Sequence, residues 1–220
     1  MADGATTKID FFDFDHTIIR GSSAPLFLTM GVRRGLFPPI SLAYIPFFFL
    51  QLYIGALNAG SRRWYFSLLE GKSRSSFEEL SQAALDKLKS MTYPQARSLI
   101  ARLKREGHSV VLATSSLDII VNPLARHLGI DEVIASALEF EADRCTGRLV
   151  DGPLLKERKR EKVLEYLQGK AVDWGDCSFY SDSIYDISLL ESVGNPVAVN
   201  PDPRLRRVAK KRGWPILRFS

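Results

Sequence analysis

The sequence predicts an α/β fold, namely a Rossmann-like parallel sheet flanked by helices, with a helical cap inserted after the first strand. Short apolar runs of strand length alternate with longer runs of helical spacing, an order typical of βαβ units. Polar side chains follow the ends of several apolar runs, and the carboxyl ends of parallel strands form the ligand crevice of such sheets. We therefore expect a catalytic-type core of residues 1–19 and 91–220, with the cap at 20–90.

The composition is that of a globular protein. Of the 220 residues, 45% are apolar and 25% are charged, which excludes global disorder. The formal charge of +5 favours phosphorylated or anionic partners, but no nucleic-acid motif accompanies it, so we expect no nucleic acid. Cys145 and Cys177 match no metal-ligand spacing; we expect free thiols, although a single disulfide stays open. The first residues lack an apolar signal core, so we expect a cytoplasmic protein, with membrane association left open.

The first predicted strand lies in the segment KIDFFDFDHT, residues 8–17. Its apolar residues are strand-favouring types, and the run is too short for an independent helix. Asp13 and Asp15 come at the end of this run, where they would share one side of the crevice. Such a pair can attack a substrate and transfer protons, or bind a divalent cation. The alternative is a strand-to-turn junction with two solvated aspartates.

Residues 35–61 contain no charged side chain. The stretch is long enough to span a bilayer, yet Pro38, Pro39 and Pro46 each break or kink a helix. Basic residues flank it on both sides, so charge gives no orientation. Three interpretations stay open: a buried helical cap over the site, an interfacial contact with a membrane, and a transmembrane span.

The next elements alternate as the fold requires. An amphipathic helix begins near Ser73, and a second follows Pro94 and ends near Gly107. The run from His108 to Ala113 predicts a buried strand, which ends in Thr114, Ser115 and Ser116. Helical spacing resumes directly afterwards, and a helix N-terminus at that point suits a phosphate. These hydroxyl residues are equally common as simple helix caps.

A second acidic cluster occurs in CSFYSDSIYDISLL. Residues 178–181 predict a buried strand that ends at Asp182, and Asp186 follows four residues later on the first turn of a helix. The alternative for these aspartates is helix capping. Around this cluster we expect a short strand at 132–136, a hairpin around 144–147, a basic helix containing Lys159 and Lys162, a strand in NPVAVN, a basic helix after Pro203 and a last strand in PILRF.

Four segments in order resemble the motifs of the haloacid dehalogenase superfamily: DFDHT, the strand end at Thr114, a lysine on the helix beginning near Lys159, and SDSIYD. The segment TSSLDIIVNPLARHLGID resembles the phosphoserine-phosphatase-like branch. The helix EKVLEYL and the run GNPVAVNPDPRLRRVAKKRGWPIL resemble its subfamily IB hydrolases more closely. The resemblance implies a Mg²⁺-dependent phosphatase with a helical cap after the first motif.

The resemblance also implies a role for each matching residue. Asp13 would be the nucleophile that forms an aspartyl-phosphate, and Asp15 would be the general acid and base. The phosphoryl group would be bound by Thr114, Ser115 and Lys162, with Lys159 as the alternative lysine, and Thr17 would support the loop. Mg²⁺ would be held by Asp13, the main-chain carbonyl of Asp15, Asp182 and Asp186, the last as a ligand or just behind the ligands.

The substrate is the least determined feature. Phosphoserine phosphatases resembling this chain carry a glutamate shortly after the first motif, whereas this chain has Ser22 and Ser23 there, which argues against phosphoserine. The apolar cap suggests a substrate with an apolar portion, or an apolar lid over a small one. Some subfamily IB relatives act on phosphatidylglycerophosphate, so the resemblance implies a lipid-linked phosphate, and peripheral membrane contact stays open. The alternatives are a phosphoserine-type or other small-metabolite phosphatase and, from another class, a non-catalytic phosphate- or membrane-binding module. The intact aspartates count against the non-catalytic module.

Overall fold

The computed structural model describes residues 8–47 and 66–220 and confirms the predicted fold class. The strands are β1 Ile9–Phe12, β2 Ser109–Leu117, β3 Glu132–Ser136, β4 Leu138–Glu141, β5 Arg144–Leu149, β6 Cys177–Ser181, β7 Asn195–Val199 and β8 Ile216–Leu217. The main sheet has six parallel strands in the order β3-β2-β1-β6-β7-β8, so β1 lies in the interior of the sheet. β4 and β5 form a separate antiparallel hairpin.

Helices flank this sheet and connect its strands. They are α1 Ser23–Arg33, α2 Arg74–Met91, α3 Pro94–Arg105, α4 Asp118–Leu128, α5 Glu157–Leu167, α6 Ile187–Leu190 and α7 Pro203–Arg212, with short 3₁₀ turns at Pro39–Ala43, Trp174–Asp176 and Ile184–Asp186. Their ends follow local sequence signals. Asp202 caps α7 by accepting from the N–H groups of Arg204 and Leu205, and Gly213 ends it in the left-handed conformation.

The core lies on both faces of the sheet, because parallel strands are covered by helices on each side. All four residues of β1 are buried. Phe12 packs with Leu112 and Leu124 on one face, while Phe11 packs with Phe179 and Val163 on the other. Three of the four residues of β1 are apolar, the fourth is the buried Asp10, and packing on both faces fixes the end of the strand.

A third apolar cluster joins α1 and α2 to α4 and the hairpin. It includes Phe27, Phe37 and Phe77, whose ring centroids lie 6.1 to 6.3 Å apart, together with Ile120 and Leu138. Residues of the predicted cap thus pack on residues of the predicted core. The boundaries 1–19, 20–90 and 91–220 stay a prediction.

The uncharged stretch is only partly described. Residues 35–47 lie within the described part, and 48–61 lie outside it. Ile40 and Phe47 are exposed, with 60% and 49% of their surface accessible. Within residues 8–47 and 66–220, no helix is both long enough and apolar enough to cross a membrane.

Three local predictions change in detail. β2 continues to Leu117, so α4 begins at Asp118 and not directly after Ser116. The register of β2 against β3 shifts between Ala113 and Leu117, which lets the strand continue past the predicted end. The hairpin turn lies at 142–143, where both residues have positive φ, and not at 144–147. The prediction of free thiols is confirmed for both cysteines, which are buried.

Candidate active site

The parallel register brings the predicted site residues to one edge of the sheet. Phe12 pairs with Leu112 on one side and with Tyr180 on the other, so Asp13 after β1 and Asp182 after β6 come level with Thr114, which lies within β2. The N–H of Asp13 donates to the carbonyl of Tyr180 at 2.9 Å, which extends this register past β1. The two acidic clusters, far apart in sequence, therefore lie at the same crevice.

A buried lysine connects the two clusters. The Nζ atom of Lys159 lies 3.0 Å from Oδ1 of Asp13 and 2.7 Å from Oδ1 of Asp186. Only 3% of this side chain is exposed. Asp186 also accepts from the hydroxyl of Ser181 at 2.6 Å. Lys159 therefore holds the predicted nucleophile and the last aspartate of the second cluster together.

Lys162, the predicted lysine, is not the one that the structure brings into contact with Asp13. Its Nζ atom binds Asp151 and Glu165, at 2.7 and 2.8 Å, away from the crevice. The reason is the rotation of α5, because Lys159 and Val163 lie four residues apart on the face that packs on the sheet. Extending the apolar line of this helix one turn toward its N-terminus would have identified Lys159 from sequence.

Burial and mutual repulsion shift the pKa values of the acidic groups. Burial raises the pKa of Asp13 to about 6, although the charge of Lys159 opposes the shift. Burial, with the charges of Asp13 and Asp186, raises the pKa of Asp182 to about 8. Burial lowers the pKa of Lys159, but the two carboxylates outweigh it, so the net shift is upward and the lysine stays charged. Three acidic groups thus share one lysine.

Asp15 faces a different set of partners. Its Oδ1 atom accepts from the N–H of Ser23 at 2.8 Å, and its Oδ2 atom accepts from the hydroxyls of Ser116 at 2.8 Å and Ser23 at 3.2 Å. Burial raises the pKa of Asp15, and these hydrogen bonds oppose the shift. In the sequence Ser23 and Ser116 lie near the motifs, but their contact with Asp15 was not predicted.

Two of the predicted phosphate-binding residues, Thr114 and Ser115, lie in β2, which pairs with β1. Thr114 is buried, and its hydroxyl oxygen accepts from the N–H of Ser116 at 3.2 Å. Ser115 is exposed, and its carbonyl accepts from the hydroxyl of Ser136 at 2.8 Å, which fixes the end of β2. The hydroxyl of Thr17 is buried and has no hydrogen-bond partner within residues 8–47 and 66–220.

A family model described as haloacid dehalogenase-like hydrolase matches residues 11–191, which includes every acidic residue of this site. The chain belongs to the haloacid dehalogenase-like hydrolases. The resemblance noted from the four motifs is thereby confirmed.

Several bacterial proteins are similar over nearly the whole chain. The histidinol-phosphatase of Neisseria meningitidis is 30% identical over 97% of this chain and 99% of its own length. The phosphoserine phosphatase SerB1 of Mycobacterium tuberculosis is 30% identical over 97% of this chain and 71% of its own. A protein of Streptomyces azureus named for inhibition of morphological differentiation is 35% identical over 95% of this chain and 77% of its own length.

Solved structures of the family have the same fold. A protein of unknown function from Bordetella pertussis superimposes with a TM-score of 0.86 and 28% identity, over 96% of this chain and 99% of that one. A phosphoserine phosphatase in a phospho-aspartyl intermediate analogue state superimposes with a TM-score of 0.70 and 24% identity, over 96% of this chain and 93% of that one. At this identity the similarity shows the fold alone. The family match and the relatives named as phosphatases together show that this hydrolase is a phosphoric monoester hydrolase, as the sequence predicted.

The donor set of this hydrolase fits a hard cation. Asp13 and Asp182 supply carboxylate oxygens, and together with Asp186 they outnumber the one lysine, Lys159, that faces them. In the described part of the chain no three His, Cys, Asp or Glu side chains converge to hold a metal. The reason is visible, since Asp186 binds Lys159 and Asp15 binds two serines. Two carboxylates with a main-chain carbonyl still fit Mg²⁺, which retains several waters.

Proposed function

We propose that this chain hydrolyses a phosphate monoester through an aspartyl-phosphate on Asp13, with Mg²⁺ as its cofactor. The observation that supports it best is the contact of 3.0 Å between Lys159 and Asp13 in a buried crevice that Asp182 shares. A carboxylate that attacks a phosphate dianion meets like-charge repulsion, and a buried ammonium group reduces it. When bound, Mg²⁺ would supply the further positive charge that the transferring phosphoryl group needs.

The proposed reaction has two steps. A carboxylate oxygen of Asp13 forms a bond to phosphorus while the bond to the ester oxygen breaks, and Asp15 gives its proton to the departing alcohol. Asp15 then takes a proton from a water molecule that attacks phosphorus, which releases phosphate and restores Asp13. Thr114 and Ser115 would hold phosphoryl oxygens, and Lys159 would neutralise charge throughout.

The metal-binding roles follow the same assignment. Asp13 and Asp182 would contribute carboxylate oxygens, and Asp15 would contribute its main-chain carbonyl. Asp186, which is bound to Lys159 and Ser181, would act behind the ligands and orient the lysine.

The proposed substrate is a small, water-soluble phosphate ester. The relative that matches over almost its full length is named for histidinol phosphate, and others are named for phosphoserine. Phosphoserine itself is disfavoured, because Ser22 contacts His16 at 3.0 Å and Ser23 binds Asp15, so this region supplies no acid for a substrate ammonium group. A lipid-linked phosphate is the second candidate, which the exposed Ile40 and Phe47 support. A cytoplasmic location stays a prediction.

The decisive test is hydrolysis of p-nitrophenyl phosphate with and without Mg²⁺. We expect Mg²⁺-dependent turnover in the natural protein, loss of at least about 10³-fold in Asp13→Asn, and no change in Asp143→Asn. Asp143 is a matched control because it is an exposed aspartate in the hairpin turn, where Asn is equally tolerated. Retained activity in Asp13→Asn would remove the nucleophile role, and activity indifferent to Mg²⁺ would remove the cofactor.

A substrate panel separates the two candidates. It contains histidinol phosphate, phosphoserine and phosphatidylglycerophosphate in detergent micelles, all compared by kcat/KM. We expect the highest value for histidinol phosphate or another soluble ester. A preference for the lipid over every soluble ester would favour the second candidate.

A further inference from the structure

The carboxylate of Asp15 is held by two serines that come from distant parts of the chain. Ser23 is the first residue of α1, and Ser116 lies near the end of β2. Ser23 is fully buried. It binds both oxygens of Asp15, one through its N–H at 2.8 Å and the other through its hydroxyl at 3.2 Å. Such a two-point contact fixes the plane of a carboxylate as well as its distance.

Ser116 completes this arrangement. Its hydroxyl donates to Oδ2 of Asp15 at 2.8 Å and lies 3.1 Å from the hydroxyl of Ser23. Its N–H donates to the hydroxyl oxygen of Thr114, so the serine itself is fixed by a predicted phosphate-binding residue. The orientation of Asp15 is thus tied to the end of β2, on which the phosphoryl group would rest.

The two oxygens of Asp15 are not equivalent. Each carboxylate oxygen can accept about two hydrogen bonds. Oδ2 has two hydroxyl donors within reach, whereas Oδ1 accepts from the single N–H of Ser23. Oδ1 therefore retains a free lone pair, and it is the oxygen that can carry and exchange a proton without breaking a contact.

We propose that Ser23 and Ser116 are positioning residues that orient Asp15, so that Oδ1 transfers the proton to the leaving oxygen. The inference rests on the proposed function, because it concerns the general acid of that reaction. The hydroxyls of both serines contact Oδ2 and act through the carboxylate, and Ser23 contacts Oδ1 only through its main-chain N–H. The structure therefore assigns part of the catalytic effect to a residue that opens the predicted cap and to one at the end of a core strand.

A positioning role makes a specific prediction about leaving groups. An alkyl ester must leave as an alcohol and needs the proton, whereas nitrophenolate is stable enough to depart without it. The value of kcat/KM reports the steps up to departure of the alcohol or phenol. Loss of orientation at Asp15 should therefore reduce kcat/KM for alkyl esters far more than for p-nitrophenyl phosphate.

The test compares Ser116→Ala and Ser23→Ala on p-nitrophenyl phosphate and on the alkyl ester of the panel that is hydrolysed fastest. General acids contribute typically 10²–10⁴-fold, so we expect about a tenfold or larger loss on the alkyl ester and about twofold or less on the aryl ester. The loss in Ser23→Ala should be the smaller one, because its N–H remains. Ser116→Thr retains a hydroxyl and should restore most of the alkyl activity.

The matched control is Ser81→Ala. Ser81 is a buried serine of α2 whose hydroxyl donates to the carbonyl of Ile119 in α4, without contact to Asp15. This variant tests for a general structural effect of losing a buried hydroxyl. We expect the ratio of kcat/KM for the alkyl ester to kcat/KM for the aryl ester to stay unchanged. Thermal unfolding of each variant verifies that it is folded.

The outcomes separate this inference from the function on which it rests. No Mg²⁺-dependent hydrolysis of any ester by the natural protein would overturn the proposed function, and the positioning role with it. If the natural protein is active but Ser116→Ala lowers kcat/KM for both substrates by the same factor, or for neither, the positioning role alone is overturned. The same holds if Ser81→Ala changes the ratio as much as Ser116→Ala.

Discussion

Replacing Lys159 by Met tests the electrostatic basis of the site most directly. Methionine retains the apolar, unbranched stem in its buried position and removes only the charge. Asp13 and Asp186 then lose an ammonium group that lies 3.0 and 2.7 Å from their oxygens. Lys162→Met on the same helix is the matched control, because that lysine binds only surface carboxylates.

The size of the effect follows from these distances. At an effective dielectric constant of about 20, each contact represents an attraction of roughly 6 kcal/mol, most of which offsets the desolvation of the charges. Removing one partner of a buried pair typically costs about 3–5 kcal/mol. We therefore expect Lys159→Met to lower the free energy of unfolding of the metal-free protein by about 3–5 kcal/mol at pH 8. Lys162→Met should change it far less, since surface ion pairs contribute little.

The loss should depend on pH in a defined direction. Burial already raises the pKa of Asp13 to about 6, and removing the lysine raises it further. At pH 5 the folded variant can take up protons that neutralise its unpaired carboxylates, whereas at pH 8 it must keep more of the charge. Stability of Lys159→Met should therefore fall as pH rises, and the difference from the natural protein should be smaller at pH 5 than at pH 8.

The assay is urea unfolding followed by circular dichroism at both pH values in EDTA, with kcat/KM measured separately at saturating Mg²⁺. Loss of preorganised positive charge at the phosphoryl group should lower kcat/KM by about 10²–10³-fold or more in Lys159→Met. A larger effect of Lys162→Met on either quantity would refute the reasoning. So would a stability loss in Lys159→Met that is equal at the two pH values.

Three further predictions concern the metal, the centre of the sheet and α1. Because burial and neighbouring charges raise the pKa of Asp182 to about 8 from 3.8, the folded metal-free protein binds a proton that the unfolded chain has lost. Its stability should therefore fall from pH 5 to pH 8, Mg²⁺ should raise its melting temperature most at pH 8, and Asp182→Asn should weaken both trends. His108→Leu removes the imidazole that lies 2.6 Å from the carboxylate of Asp10, a side chain that is only 2% exposed. Urea unfolding should show a free energy of unfolding lower by about 3 kcal/mol, while kcat stays unchanged. Gly31→Ala places Cβ 2.2 Å from the ring of Phe37, and thermal unfolding should show a loss of about 1–3 kcal/mol despite the better helix propensity.

Each of these predictions has an opposing outcome. Mg²⁺ stabilisation of equal size in Asp182→Asn and the natural protein would exclude Asp182 as a ligand. A fall in kcat for folded His108→Leu would mean that the pair at the start of β1 affects the site, three residues from Asp13. An unchanged or higher melting temperature in Gly31→Ala would contradict the close packing of α1 on Phe37.

The sequence by itself determined the fold class and which strand ends carry the acidic groups. Both are local properties, because a short apolar run with strand-favouring residues reports a buried strand, and Asp13 or Asp182 directly after it reports the strand end. The spacing DFDHT with the later SDSIYD added the family, which the comparisons confirmed. The prediction of β2 failed at its end, where the register shift depends on β3 and is not encoded locally.

Only the tertiary structure decided which side chains meet in the crevice. The choice between Lys159 and Lys162 depends on how α5 is rotated on the sheet, which the packing of Val163 and Leu167 fixes. The contacts of Asp15 depend on Ser23 and Ser116, which are 93 residues apart and meet because α1 and the end of β2 converge on Asp15. Periodicity gives the face of a helix or strand relative to its own axis, whereas a site is defined by distances between elements, and those arise only when the elements pack.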